Sequence, residues 1–268
     1  SQKTCLTIQR AKMTWICLHG HFYQPSRVDP WTNELDAQPS AAPFRNWNQR
    51  ITAECYAPNV SAPILNDHGF TRRVRNTYGF INFDMGPTLL SWFKREQPSM
   101  LDALKRADRD SIARFGRGSA IAQPYHHSIL PLATPRERAL EIRWGLAAFE
   151  EVFSRPAEGM WLPETAVDIP SLEALAAAGV HFTIVASDQI EGVRPLGADL
   201  WAPASGDDAL LGRSYTVPLP SGNKMIVVPY GRTLSHGVAF DGWLHDGASM
   251  AQKLVDAAAE HEFVLLAT

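Results

Sequence analysis

The chain has 268 residues, a net charge of −3 at neutral pH and 45% apolar residues, enough for one large α/β domain or two small ones with a substantial core. The sequence has no basic block, which argues against nucleic acid as a partner. No apolar run reaches the ~18–20 residues of a membrane span, so no membrane partner is expected either.

Residues 1–12 lack the apolar core of a signal peptide, and Met13 directly precedes an apolar run. The expectation is a tag or N-terminal extension over 1–12 and one catalytic domain over 13–268. The first strand-like run is 14–19 (TWICLH). Residues 22–60, rich in Pro, Asn and Trp, read as a long loop or cap. A second strand-like run spans 80–85, and Gly86-Pro87 opens a segment carrying Leu89, Leu90 and Phe93. A third run spans 119–124. Thr134-Pro135-Arg136-Glu137 combines a threonine cap, proline at the first helical position and a glutamate three residues after the cap. Ile142, Leu146, Phe149 and Phe153 follow at helical spacing. A fourth run spans 158–162. A helix then starts near Pro170 and stops at Gly179, before a fifth run at 181–186. Residues 188–223 are rich in Gly, Pro and Asp, with an antiparallel strand over 213–219 that turns through Ser221-Gly222-Asn223 into a sixth run at 224–229. A helix over 246–261 carries Met250, Leu254 and Ala257 on one face, and the seventh run is 263–267.

The seven runs are short, rich in β-branched and aromatic residues, and not alternating, as strands buried on both faces are. Strands alternating with helices imply a parallel sheet, because each parallel return needs a crossover. The three cysteines, Cys5, Cys17 and Cys55, include no CxxC pair, so neither a disulfide framework nor a zinc knuckle is expected and a cytoplasmic location fits. The tryptophans at 31, 47, 92, 144, 201 and 243 are expected mostly in the core.

Chemistry in such folds gathers at the carboxyl ends of strands. Those ends carry His19-Gly20-His21, Asp84, Tyr125-His126-His127, Trp161-Leu162-Pro163-Glu164, Ser187-Asp188 and Tyr230-Gly231-Arg232. Contributions from six strands suggest a ring around one mouth, which favours a barrel over an open sheet. Each residue also has a plainer reading. His19 and His21 are metal ligands or ordinary hydrogen-bonding histidines. His126 and His127 point apart if extended, so at most one faces the site. Asp84 caps the helix near Gly86 or serves the site, and Glu164 lies several residues early for capping the helix near Pro170. Trp161, beside the carboxylate, offers an aromatic face suited to a sugar ring. No GxGxxG, Walker A or GxSxG motif is present.

The segments HGHFYQP (19–25), RITAECYAPN (50–59), GPTLLSW (86–92), HSILPLA (127–133) and GMWLPETAVD (159–168) resemble glycoside hydrolase family 57, over about 14–268. The resemblance implies an α/β fold, a distorted TIM-like (β/α)7 barrel of parallel strands. It also implies retaining chemistry on α-glucans or oligosaccharides by hydrolysis, 4-α-glucan transfer or branching, with no cofactor and no metal. Carried over residue by residue, Glu164 matches the nucleophile. His19, His21 and His127 match histidines that contact the sugar, and Trp161 matches the aromatic beside the nucleophile. Asp84 stands where the family pattern has Asn, within reach of the substrate site. The family's acid/base Asp follows the seventh strand, which here ends in Ala267-Thr268, so the expectation is a barrel lacking that residue and the family's C-terminal elements. Two rival readings are a metal-dependent carbohydrate deacetylase using His19, His21 and Asp84, and a non-catalytic glucan-binding fragment.

Overall fold

The computed structural model describes residues 14–204, 210–259 and 261–268. The expected division at residue 12, Met13 and Cys5 therefore lie outside the described residues. Strand β1 (Trp15–Phe22) is followed by α1 (Trp47–Ile51), a π-helical turn (Thr52–Tyr56) and α2 (Ala57–Val60). A small hairpin, β2 (Ala62–Leu65) with β3 (Thr71–Arg75), precedes β4 (Asn82–Met85). Next come α3 (Pro87–Glu96), α4 (Pro98–Phe115), β5 (Ala120–Ile121) and α5 (Pro135–Phe153). α6 (Ile169–Ala177) leads to β6 (Phe182–Ala186), and β7 (Gly192–Val193) pairs with β8 (Ala202–Pro203). The chain ends with β9 (Tyr215–Pro218), β10 (Lys224–Tyr230), α7 (Arg232–Ala239), α8 (Gly247–Ala258) and β11 (Phe263–Ala267).

The parallel order β11-β1-β4-β5 forms one sheet, and β6-β10 with antiparallel β9 forms another. The fourth expected strand joins them through isolated parallel bridges, Ala122 to Met160 and Gly159 to Phe182. On the far side the Gly231 N–H donates to the Leu265 carbonyl at 2.8 Å. The strands thus follow one another as in a (β/α)7 barrel, without a continuous ladder around it. Inside sits a small apolar cluster of Ile121, Trp161, Ile184, Leu265 and Ala267, with Cys17, Val228 and Tyr230 packed against it. Six strand positions contribute, as a barrel interior requires. The main core lies outside the sheet, under α3–α6, and includes Leu89, Phe93, Leu104, Ile142, Phe149 and Leu175.

Local chemistry explains the boundaries. Thr134 and Glu137 form the reciprocal capping box that starts α5. Helix α5 can lie close to the third strand's end only because Gly145 has no side chain: a Cβ there would overlap the Gln123 carbonyl oxygen. Several expectations need correction. The run 158–162 makes bridges, not a ladder, and 119–124 pairs over only two residues as β5. Residues 22–60 include α1 and α2 rather than one long loop. Among the tryptophans expected in the core, Trp92 is buried, but Trp31, Trp144 and Trp201 are exposed. Trp144 lies two residues from buried Ile142, on the opposite side of α5, so helical geometry turns it outward.

Candidate active site

The parallel register of β1 on β4 sets His19 beside Asn82 and His21 beside Asp84. Alternate strand residues share a face, so all four side chains meet at the carboxyl ends of the strands. The Asn82 amide nitrogen donates to the Ser119 carbonyl at 2.7 Å, which turns its oxygen toward His19 Nδ1 at 2.6 Å. His19 Nε2 lies 2.9 Å from Asp84 Oδ1, and His21 Nδ1 lies 2.9 Å from Asp84 Oδ2. Gln123 donates its amide to the same Oδ2 at 2.8 Å. Asp84 is fully buried. Burial pushes its pKa up, but the hydrogen bonds from His19 and His21 and their charge outweigh this and hold the carboxyl below its ordinary value. Asp84 does not cap α3, whose N-cap is Gly86 with no side-chain bond.

The network continues to the third strand's end. His127 Nε2 lies 3.0 Å from His21 Nε2. One of the two Nε2 atoms donates its hydrogen to the other across this gap. The His127 pKa is lowered, chiefly by burial and next by the charge of His21, against the opposing pull of Asp84 and Glu164. A positive φ of 60° swings His127 inward, while His126 turns to Glu141, with Nδ1 2.7 Å from Oε1. Of the two adjacent histidines, His127 therefore faces the site.

Trp161 is buried, and its ring stacks with those of His19 (centroids 4.9 Å apart) and His21 (5.0 Å). It backs the histidines rather than presenting the open face expected from its place in the sequence. Tyr23 stacks on His127 at 3.8 Å and extends the aromatic surface.

Glu164 follows Trp161 in a short turn over Pro163–Thr165 and is exposed. Its backbone sits at φ 55°, ψ 18°, and Thr165 has φ 51°. Two successive non-glycine residues in the left-handed region cost of order 1–3 kcal/mol each, and persist only where the surroundings impose them. The helix that follows is capped by Asp168, which accepts from the Ser171 N–H at 2.8 Å, so Glu164 has no capping task.

Other strand-end groups stand apart from this network. Asp188 pairs with Arg232 at 2.6 Å on the exposed rim, and Tyr125 packs edge-on against Trp144. Among the described residues, no three His, Cys, Asp or Glu side chains gather in an arrangement that could hold a metal ion. His19, His21 and Asp84 are turned toward one another instead. Sequence reasoning missed Asn82, Gln123, Tyr23 and Gln189. The first two carried a usable signal, since Asn82 lies two residues from Asp84 and Gln123 two from Ile121, each within an apolar run.

Fold and site together define an α/β barrel protein with a polar centre at its strand ends. The chain belongs to glycosyl hydrolase family 57, whose sequence model matches residues 22–264. No curated protein sequence gives a significant match. The 4-α-glucanotransferase of Thermococcus litoralis is similar in structure, with a TM-score of 0.64 and 14% identity over 96% of this chain and 33% of that one. An exo-type maltose-forming amylase from Pyrococcus sp. ST04 gives 0.62 and 13% identity over 95% of this chain and 42% of that one. A putative polysaccharide deacetylase from Mycobacterium smegmatis gives 0.52 and 13% identity over 100% of this chain and 80% of that one. At these identities the likeness is one of fold. The chain spans about a third of the length of the glucanotransferase and about two fifths of the amylase.

Proposed function

We propose that the chain is the nucleophile-bearing barrel of a retaining α-glucan hydrolase or transglycosylase, acting in a reducing, cytoplasmic setting. The observation that carries this reading is Glu164: an exposed carboxylate in an imposed left-handed turn, beside a buried His–Asp network. The Glu164 carboxylate attacks the anomeric carbon, the glycosidic C–O bond breaks, and a glycosyl ester forms on its side chain. Water, or a sugar hydroxyl, then attacks the same carbon and releases Glu164. His21 and His127 orient sugar hydroxyls, with His19, Asp84 and Trp161 fixing their rings from below.

Retention also needs a second carboxyl group about 5–5.5 Å from the nucleophile, to protonate the leaving oxygen and then deprotonate the acceptor. Asp84 is unsuited, being buried and fully engaged. The Thr268 carbonyl accepts from the His21 N–H at 2.7 Å and the Thr268 N–H donates to the His19 carbonyl at 3.0 Å.

The test is mass spectrometry after treatment with an activated fluorinated α-glucoside. A stable label on Glu164 is expected. Saturable oligosaccharide binding by a folded chain that takes no label would overturn the reading and leave a glucan-binding fragment.

A further inference from the structure

The turn that carries Glu164 needs an external hold. Within it, the Thr165 N–H reaches the Leu162 carbonyl at 2.9 Å and the Ala166 N–H reaches the Pro163 carbonyl at 3.0 Å. Neither bond explains why two successive residues adopt a left-handed conformation that L-residues avoid. The missing constraint comes from a neighbouring strand end. Gln189 lies in the turn after β6, and its side-chain amide is used in both directions. Its oxygen accepts from the Ala186 N–H at 2.7 Å, while its nitrogen donates to the Thr165 carbonyl at 2.8 Å. Thr165 is thereby held at its backbone carbonyl by the end of β6.

From this geometry we infer that Gln189 is a positioning residue that fixes the direction of the Glu164 carboxylate by clamping Thr165. It need not touch the substrate. The choice of residue at 189 follows from the two bonds. Glutamate keeps the acceptor for Ala186 but sets a carboxylate against the Thr165 carbonyl. Asparagine is one methylene too short to span both. The inference rests on Glu164 being the nucleophile and adds what aims it.

The experiment measures labelling of the full chain by the same activated fluorinated α-glucoside, separating the first-order rate of ester formation from reagent affinity. Gln189→Glu and Gln189→Ala are compared with wild type. Misdirecting a reacting atom by a fraction of an ångström lowers the chemical step without weakening ground-state binding. Expected is a roughly tenfold slower ester formation in Gln189→Glu and Gln189→Ala, with affinity within about twofold of wild type. Gln189→Glu is the decisive variant, because it retains the Ala186 contact and loses only the link to Thr165. A purely structural role would shift its melting temperature and leave the labelling rate of the folded fraction unchanged. Labelling at the wild-type rate by folded Gln189→Glu or folded Gln189→Ala overturns the clamp alone. A wild-type chain that takes no label overturns the nucleophile assignment, and the clamp with it.

Discussion

Replacing Asp84 with asparagine removes the carboxylate on which His19, His21 and Gln123 converge, at 2.9, 2.9 and 2.8 Å. The amide keeps one acceptor oxygen and turns an NH2 group toward at least one of those donors. Hydrogen bonds to a charged partner are worth about 1.5–3 kcal/mol each. Removing one side of a buried ionic pair costs about 3–5 kcal/mol, because the abandoned partners stay desolvated. Asp84 and His19 are fully buried and His21 is partly exposed, which places Asp84→Asn toward the lower end of that range. With an unfolding entropy near 2.1 cal/mol/K per residue over 268 residues, the melting temperature should fall by roughly 5–10 °C. Urea denaturation at neutral pH reads the same loss as a lower midpoint at unchanged slope. The pH dependence supplies a second check. The folded pKa of Asp84 is depressed, so its contribution is complete above the ordinary carboxylate value near 3.9 and is lost as pH falls through the lower folded value. The gap between wild type and variant should therefore narrow in strong acid. A loss under about 1 kcal/mol at pH 7, or a gap that stays constant in acid, would refute the network's ionic character.

Glu164→Gly should abolish labelling by the activated glycoside yet raise stability by up to about 2 kcal/mol, since relief of the left-handed strain exceeds the glycine's added chain entropy; a destabilised variant in urea counts against imposed strain. His127 has a lowered folded pKa, so its contribution is complete above the unfolded value near 6.5 and is lost as pH falls toward the folded one. Denaturation at pH 7 and pH 5 should accordingly show less acid loss in His127→Gln than in wild type, and parallel losses would contradict the assignment. Gly145→Ala should destabilise by about 1–3 kcal/mol despite alanine's better helix propensity, because its methyl meets the Gln123 carbonyl. A raised melting temperature for Gly145→Ala would show that α5 can draw back.

The order of strands was readable from seven apolar runs, since burial on both faces leaves a compositional mark that survives imprecise ends. The capping box at Thr134 and the glycine turn at Gly222 were likewise fixed by local chemistry. The paired histidines of β1 could be placed on one face by period-two reasoning alone. Their partners could not, because which strand lies beside β1, and in which register, depends on packing between distant segments. The Asn82 and Gln123 contacts hang on that register. The strain at Glu164 was invisible for a different reason. Glutamate and threonine carry no preference for the left-handed region, so only the folded surroundings reveal it. The same limit explains Trp161: its neighbours in sequence suggested an open face, and its neighbours in space cover it.

The parallel rings of Trp161, His19 and His21 also give the molecule an internal optical reporter. An indole in face contact with imidazoles passes excited-state electron density to them more readily when they are protonated, so its emission tracks the charge of the rings beside it. Burial sets this emission to the blue of the solvent-facing Trp31, Trp144 and Trp201. The wild-type spectrum minus that of Trp161→Phe thus isolates one chromophore at the heart of the strand-end network. Through it, occupancy of the site and the state of its protons become visible in a cuvette without any turnover of substrate.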